Sequence, residues 1–114
     1  MANIEINIVG ILRPKPAKMD RLIELLSAVA NRIHAEEKDI LRFSVSRAVN
    51  PQTKEPTNTL VLIETYESQA TFDRHFAAPE YKEFQATLKA ENIIDFKDPV
   101  DAEIRVVKHV TGFM

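Results

Sequence analysis

Three segments of this 114-residue chain carry apolar side chains at both odd and even positions, which constrains the fold more than any other feature. Between Ile4 and Leu12 the apolar residues first occupy alternate positions and then both odd and even positions. The segments Thr59 to Glu67 and Ala102 to Thr111 are also apolar at both parities. Since successive side chains of a strand point to opposite faces, each segment is predicted to be a strand with apolar residues on both faces of its sheet.

The stretch between the first two strand segments predicts a helix, a second strand and a loop. From Pro16 to about Lys38 the apolar positions are spaced by three and four, which is typical of an amphipathic helix. Pro16 suits the first helical position, where its missing N–H has no cost. Ile40 to Val49 alternates as a strand, and residues 50–58 predict a polar, turn-rich loop.

A second helical region follows the third strand. Ser68 is a favoured N-cap residue, and Pro79 disfavours helix at Ala78, so we expect a break there and a restart that runs to about Ala90. The connector at residues 91–101 contains apolar residues and is expected to pack against the core. These residues are Ile93, Ile94 and Phe96.

The predicted order is β-α-β-β-α-β, which indicates a ferredoxin-like α+β fold with one four-stranded antiparallel sheet. Both helical regions would then cover one face of the sheet and leave the other face bare. Because a bare apolar surface usually marks an interface, we expect a homodimer that packs sheet against sheet. The alternative is a monomer in which the tail or the connector covers this face.

Composition limits the classes of function that the chain can have. Residues 1–114 fit one domain, and the net charge of −2 without a basic cluster argues against a nucleic-acid partner. The absence of cysteine excludes disulfides and thiolate-bound metals. With only Gly10 and Gly112, the chain cannot form a dinucleotide fingerprint, a P-loop or a nucleophile elbow. The chain shows no secretory leader and no run long enough to span a membrane, so we expect a cytoplasmic protein.

The segment from Leu60 to Phe84 concentrates the side chains that carry chemistry. Strand alternation places Glu64 and Tyr66 on one face, and the helix after Ser68 presents His75. A carboxyl group, a phenol and an imidazole are thereby directed toward one apolar space.

The motif ETYES at residues 64–68, then His75 and the motif PEYKEF at residues 79–84, resembles the antibiotic biosynthesis monooxygenase family. The resemblance implies a dimeric α+β barrel. Some members of that family oxygenate quinols, anthrones or other electron-rich aromatic polyketides with O2 and without metal or organic cofactor. Others degrade haem, and many have no known reaction. The two glutamates at residues 36–37 also resemble the family. Relatives commonly have a glycine after them, whereas this chain has Lys38 and Asp39, so we expect a different turn here.

The haem-degrading branch fits this chain poorly. Those relatives hold the iron with a histidine late in the second helix, where this chain has about Gln85 and no histidine between Tyr81 and Ala90. They also use a tryptophan on the third strand, where Tyr66 stands here. We therefore expect no haem, no metal and no organic cofactor.

Tyr66 and His75 are the candidate catalytic residues. Tyr66 could donate a hydrogen bond to a phenolate or ketone oxygen, or be a half-buried aromatic residue with its hydroxyl in water. His75 could act as a general base, or form a structural hydrogen bond with Glu64 or with a backbone carbonyl. Glu64 needs a partner in an apolar strand, and His75 or Arg47 could supply it.

Further candidates for substrate binding are polar or aromatic. Asn7, Arg47 and Arg105 interrupt apolar strands, where they could bind an oxyanion or form salt links across a dimer. Neither His34 nor His109 has a partner at metal-ligand spacing. Five aromatic residues could line a pocket for a flat substrate or simply fill the core. They are Phe43, Phe72, Phe76, Tyr81 and Phe84.

The leading hypothesis is a cofactor-independent monooxygenase that acts on an electron-rich phenol, quinol or anthrone. Such a substrate can serve as its own reductant, so the protein need only bind a flat ring in a dry pocket, stabilise an anion and accept a proton. One alternative is a non-catalytic or stress-associated dimer that holds a small aromatic molecule. Another is a non-oxidative polyketide cyclase-like enzyme on the same fold.

Overall fold

A computed structural model describes residues 4–113, and its elements follow the predicted order. The strands are β1 (Ile6–Leu12), β2 (Ile40–Val49), β3 (Pro56–Tyr66) and β4 (Ala102–Val107). The helices are α1 (Met19–Glu36), α2 (Gln69–Ala77) and α3 (Pro79–Ala90). Among the residues described, no helix is both long enough and apolar enough to cross a membrane. The expectation about an N-terminal leader involves residues 1–3, which lie outside the described residues.

The four strands form one antiparallel sheet in the order β2-β3-β1-β4. β1 and β3 are central, and both neighbours of β1 run antiparallel to it. The three helices cover a single face of this sheet. The predicted ferredoxin-like α+β fold is confirmed.

The second helical region begins and breaks where the sequence predicts. The Oγ of Ser68 accepts a hydrogen bond from the backbone N–H of Thr71 at 3.2 Å, so Ser68 caps α2. Ala78 is extended, with φ −68° and ψ 146°, and Pro79 opens α3. The expected break is therefore confirmed, and it turns the two helices against each other above the sheet.

Other element bounds differ from the expectations. The start of the first helix at Pro16 is wrong, because Ala17 is left-handed with φ 66° and the N–H of Lys18 closes a turn onto the carbonyl of Lys15. β4 ends at Val107 rather than at Thr111. β3 begins three residues early, at Pro56, because the polar loop is a tight turn in which the N–H of Asn50 donates to the carbonyl of Glu55.

Two apolar clusters fill the space between the sheet and the helices. The larger one joins β1, α1, β3 and α3, and the connector contributes Ile93 and Ile94 as predicted. The smaller one surrounds Tyr66 at the other end of the sheet and includes Ile8 and Ile40. Phe43 on β2 packs against both clusters. Phe43 therefore marks the place where these clusters meet.

The opposite face of the sheet has no helix over it. Apolar residues of the two central strands, such as Val9 and Ile63, lie there opposite each other and are half-buried. The tail does not cover this face, since Val110 and Phe113 are 91% and 100% exposed. The connector packs in the core on the helical side. The bare face that the sequence predicts is thus present.

Candidate active site

A cavity of about 170 Å³ lies between the covered face of the sheet and all three helices. Its walls are mainly aliphatic and aromatic, with a few polar side chains at one side. The sheet contributes Ile8, Leu12, Phe43, Leu62, Glu64 and Ile104, and the helices and connector contribute Leu26, Val29, Arg32, His75, Phe76, Glu80, Tyr81, Phe84, Gln85 and Phe96. Small-molecule sites are typically apolar hollows of this kind that contain a few polar groups.

Glu64 is a carboxyl group inside the apolar wall. Cross-strand pairing places it between Ile8 of β1 and Phe43 of β2, and it is 7% exposed. Its partner is Tyr66, whose hydroxyl donates to Oε1 of Glu64 at 2.5 Å. Burial raises the pKa of Glu64, and the hydrogen bond from Tyr66 opposes that shift only in part. Burial therefore disfavours the charged form of this carboxyl group.

Tyr66 lies behind Glu64 and does not line the cavity. Its side chain is fully buried, and its ring contacts Phe72 edge-on at a centroid distance of 5.5 Å. Burial and the neighbouring Glu64 raise its pKa far above the usual range, so the phenol keeps its proton. The alternative of a half-buried tyrosine with its hydroxyl in water is therefore wrong. Its hydroxyl instead fixes the position of the Glu64 carboxyl group.

His75 on α2 forms the neighbouring part of the wall. It is 3% exposed, and its Nδ1 lies 3.3 and 3.4 Å from the two carboxyl oxygens of Glu37. Burial lowers the pKa of His75, and the hydrogen bond to Glu37 counteracts this shift. Because an ionised carboxylate can only accept, the hydrogen of neutral His75 belongs on Nδ1 and the lone pair on Nε2.

Glu37 belongs to a charged group at the edge of the site. Arg32 donates to it at 2.9 Å and Arg74 at 3.5 Å. Arg74 also binds Asp39 with two hydrogen bonds, of 2.5 and 2.7 Å, and this guanidinium lowers the pKa of Asp39 to about 2. Asp39 occupies the turn where the sequence departs from its relatives, and there it anchors α2 through Thr71 at 3.0 Å.

Two polar atoms of the wall are left open to the cavity. Within residues 4–113, Oε2 of Glu64 and Nε2 of His75 have no hydrogen-bond partner. In the same part of the chain, no fully buried side-chain nitrogen or oxygen lacks a partner. Both atoms must therefore retain some exposure, and the cavity that both residues line provides it.

The structure brings together most of the candidate residues. Phe43, Glu64, His75, Phe76, Tyr81 and Phe84 line the cavity, whereas Tyr66 and Phe72 lie behind its wall. Asn7 lies on the bare face of the sheet, where its Oδ1 accepts from Thr65 at 2.8 Å. Arg47 lies on the edge strand, and its Nε donates to the carbonyl of Thr57 at 2.8 Å. Neither residue lines this cavity, so the structure does not bring them together with the other candidates.

The hydrogen-bond partners expected from the sequence also need correction. Glu64 is bound by Tyr66 and not by His75 or Arg47, because the tyrosine two residues away points to the same face. His75 is bound by Glu37 and not by Glu64 or a backbone carbonyl, because the end of α1 lies beside α2.

Several wall residues were missed by sequence reasoning. Arg32 follows Leu26 and Val29 at three-residue intervals, a spacing that could have placed it on the inner side of α1. Gln85 follows Tyr81 by four residues, and its Nε2 donates to the Tyr81 hydroxyl at 3.3 Å. Phe96 was expected only to pack against the core, and Ile104 only to lie on the last strand. Because neither belongs to the motif region, neither was placed at the site.

A second hollow of about 330 Å³ lies between α1 and the edge strand β2. It is larger, but Arg47 is its only titratable wall residue, and that side chain already binds Thr57. Within residues 4–113, no group of three or more histidine, cysteine, aspartate or glutamate side chains is arranged to hold a metal ion. The smaller cavity is therefore the candidate active site.

A ferredoxin-like sheet with this apolar cavity on its covered face defines a small α+β protein with a candidate site for a small molecule. The sequence model of the antibiotic biosynthesis monooxygenase family matches residues 6–87, so the chain belongs to that family.

Solved structures agree with this fold. A protein of Deinococcus radiodurans that carries the same family designation shares 18% identity, with a TM-score of 0.72 and 96% of each chain covered. Another from Caulobacter crescentus CB15 shares 20% identity, with a TM-score of 0.73 and coverage of 94% of this chain and 91% of that one. A Mycobacterium tuberculosis protein shares 19% identity at a TM-score of 0.70, covering 96% and 98%. No curated protein matches the chain in sequence.

Proposed function

We propose that the protein is a cofactor-independent monooxygenase that oxidises an electron-rich phenol, quinol or anthrone with O2. The observation that carries this proposal is the pair of open polar atoms, Oε2 of Glu64 and Nε2 of His75, on one side of an otherwise apolar cavity. Membership of the monooxygenase family supports the reaction class. The small number of glycines supports independence from nucleotide cofactors.

The first proposed step removes the acidic proton of the substrate. Nε2 of His75 is the acceptor, because Glu37 holds the hydrogen of the neutral ring on Nδ1. Glu37 also stabilises the imidazolium that forms, which matches the way a carboxylate orients a histidine base in other enzymes. Burial keeps the ring neutral before the reaction, so His75 is ready to accept a proton near neutral pH.

The second part of the proposal concerns the anion. A protonated Glu64 donates a hydrogen bond from Oε2 to the substrate oxygen, while Tyr66 donates to Oε1 of the same group. Tyr66 thereby acts on the oxyanion through Glu64 rather than by contact. Preorganised donors in a site of low polarity stabilise developing negative charge without having to reorient.

The oxidation then needs only the substrate and O2. The anion transfers one electron to O2, and the resulting radical and superoxide combine to form a carbon–oxygen bond. The resulting peroxide anion takes the proton back from His75 and becomes a hydroperoxide. Loss of the hydrogen on the same carbon then breaks the O–O bond, so one oxygen atom of O2 remains in a quinone or ketone and the other leaves as H2O. The apolar wall of Phe76, Tyr81 and Phe84 limits access of water to these intermediates.

The test is oxygen uptake by purified, chelator-treated protein with a panel of phenols, quinols and anthrones. We expect uptake above the uncatalysed rate, insensitive to chelator, and one atom of ¹⁸O from labelled O2 in the product. Binding of an aromatic compound without oxygen uptake would favour the alternative of a non-catalytic binding protein. Product formation without O2 would favour the non-oxidative cyclase-like enzyme.

We also propose that the protein forms a homodimer through the bare face of the sheet. Its half-buried apolar residues, such as Val9 and Ile63, have no cover in the part of the chain that is described. Sedimentation should therefore detect a dimer that Ile63→Glu converts to a monomer. Val100→Glu is the matched control, since Val100 is 71% exposed and lies on the connector. A native monomer would contradict the proposal.

A further inference from the structure

We infer that the cavity takes a single-ring phenol that rests on Gly10 and directs its hydroxyl to Glu64, and that it excludes three fused rings. This inference rests on the proposed function only in treating the bound phenol as a substrate. It narrows the phenols, quinols and anthrones named above to the smallest members of the group.

Gly10 is surrounded by residues that line the cavity floor. It lies on the covered face of β1 between Ile8 and Leu12, and it pairs with Leu62 on one side and Ile104 on the other. All four of these residues line the cavity. A Cβ atom built on Gly10 would lie 3.4 Å from Ile104 Cδ1 and 3.5 Å from Leu62 Cβ, with no third atom within 4 Å. The missing side chain therefore opens space over the centre of the sheet.

The floor also orients the ligand. Glu64 pairs with Ile8, and Gly10 pairs with Leu62, so Gly10 and Glu64 are diagonal neighbours on the same face of the sheet. Diagonal neighbours are about 7–8 Å apart, close to the span of one substituted ring. A ring lying flat on Gly10 can therefore reach the open Oε2 of Glu64 with its hydroxyl.

The size of the cavity sets the number of rings. An apolar protein cavity of about 150 Å³ takes up benzene, whereas sites for drug-sized ligands are about 300–1,000 Å³. The volume here is about 170 Å³. Phe76 and Phe84 limit it on the helical side, and Phe96 limits it on the side of the connector. One ring fits this space, and a third fused ring would have to displace an aromatic wall residue.

The experiment measures the binding of phenol, 2-naphthol and 2-hydroxyanthracene without O2, by protein chemical shifts and calorimetry. We expect affinity to fall from phenol to the three-ring compound. Gly10→Ala should weaken phenol binding about tenfold, equivalent to about 1.4 kcal/mol. Its fold should persist, since the new Cβ makes only ordinary contacts. Phe84→Leu should improve 2-naphthol binding relative to phenol.

Phe72→Leu is the matched control for Phe84→Leu. Phe72 belongs to the same aromatic group but packs on Tyr66 behind the wall, so its change should leave the ring preference unaltered. The hydroxyl contact is tested by the ratio of phenol to toluene affinity. The double variant Glu64→Met with Tyr66→Phe removes the open carboxyl oxygen without leaving an unpaired hydroxyl, and this ratio should fall about tenfold.

The two proposals fail in different ways. Phenol binding that depends on Gly10 and Glu64, without any oxygen uptake, would support this inference and overturn the proposed function. Chelator-insensitive oxygen uptake with preferred binding of the three-ring compound would support the proposed function and overturn the single-ring inference. Equal phenol affinity in the native protein and a folded Gly10→Ala variant would also overturn the single-ring assignment.

Discussion

Two carboxyl groups near α2 are held in opposite ways. Glu64 lies inside the wall with one uncharged partner, Tyr66, and burial raises its pKa. Asp39 lies at the edge with a guanidinium bound to both oxygens, and that contact lowers its pKa to about 2. The inner group is controlled by the loss of water, and the outer group by an opposite charge.

His75 lies between these two regions and shares features of both. Its ring is buried against Tyr66 and Phe76, at centroid distances of 5.5 and 4.9 Å, while its Nδ1 reaches the charged edge at Glu37. The comparison teaches that the interior of the site disfavours charge, whereas its ion pairs lie at the edge. Such an arrangement suits a reaction in which charge appears only after the substrate is bound.

The largest expected effect comes from removing the base at this boundary. In His75→Gln, kcat/KM for oxygen uptake should fall about 10²–10⁴-fold, the usual contribution of a positioned general base. His34→Gln is the control, since His34 is an exposed residue in the last turn of α1. A His75→Gln protein that keeps its full rate would remove the assignment of His75 as the base.

The second-largest effect is expected when the buried hydrogen bond between Tyr66 and Glu64 is removed. Tyr66→Phe removes the only protein donor to Glu64 found within the described residues, so urea unfolding should show a loss of about 1–3 kcal/mol. Tyr81→Phe should cost less, because the Tyr81 hydroxyl makes a single long contact with Gln85, an exposed residue. Equal losses in the two variants would mean that the buried pair contributes nothing beyond an ordinary tyrosine hydroxyl.

Glu37, in the outer region, should adjust the pKa of His75 without contacting the substrate. Glu37 raises the pKa of His75 against the effect of burial, so Glu37→Gln should lower that pKa further. The acid limb of the pH–rate profile reports the protonation of His75 and should therefore move to lower pH, with kcat reduced about tenfold. Glu36→Gln is the matched control on an exposed neighbour. A rate loss with no shift of the limb would indicate a structural role only.

The fold could be predicted because its signals are local. Ser68 and Pro79 mark the starts of α2 and α3 through their own chemistry. The spacing of apolar residues alone shows that β1 and β3 have apolar side chains on both faces. The start of α1 escaped prediction because Ala17, a residue without special backbone freedom, adopts a left-handed turn. Local rules give no warning of such a turn.

The site was less predictable, for two different reasons. Glu37 lies 38 residues from His75, and only the packing of α1 beside α2 brings them together. Tyr66 is only two residues from Glu64, and alternation had already placed both on one face. That pair was missed because a charged partner was sought for Glu64, whereas its partner is the uncharged Tyr66. The space above Gly10 depends on every wall residue and has no signal in the sequence.

The smallest expected effects contrast the inner and outer carboxyl groups most directly, because their stability should depend on pH with opposite signs. Glu64 has a raised pKa, so its stabilising contribution is complete below its ordinary value of 4.5 and is lost as pH rises through the folded value. Asp39 has a lowered pKa, so its contribution is complete above 3.8 and is lost as pH falls toward 2. Neither slope can exceed about 1.4 kcal/mol per pH unit, the limit for one proton.

The measurement is urea unfolding of the native protein, Glu64→Gln and Asp39→Asn across pH. The stability of the native protein relative to Glu64→Gln should fall from pH 5 to pH 8, and relative to Asp39→Asn it should rise from pH 2 to pH 4. The Asp39 effect should also shrink in high salt, because Arg74 is half exposed and its ion pair is screened. The absence of any fall between pH 5 and pH 8 would mean that Glu64 is ionised in the folded protein throughout this range. It could then no longer donate to a substrate oxygen, and the neutral interior that distinguishes the two regions would be lost.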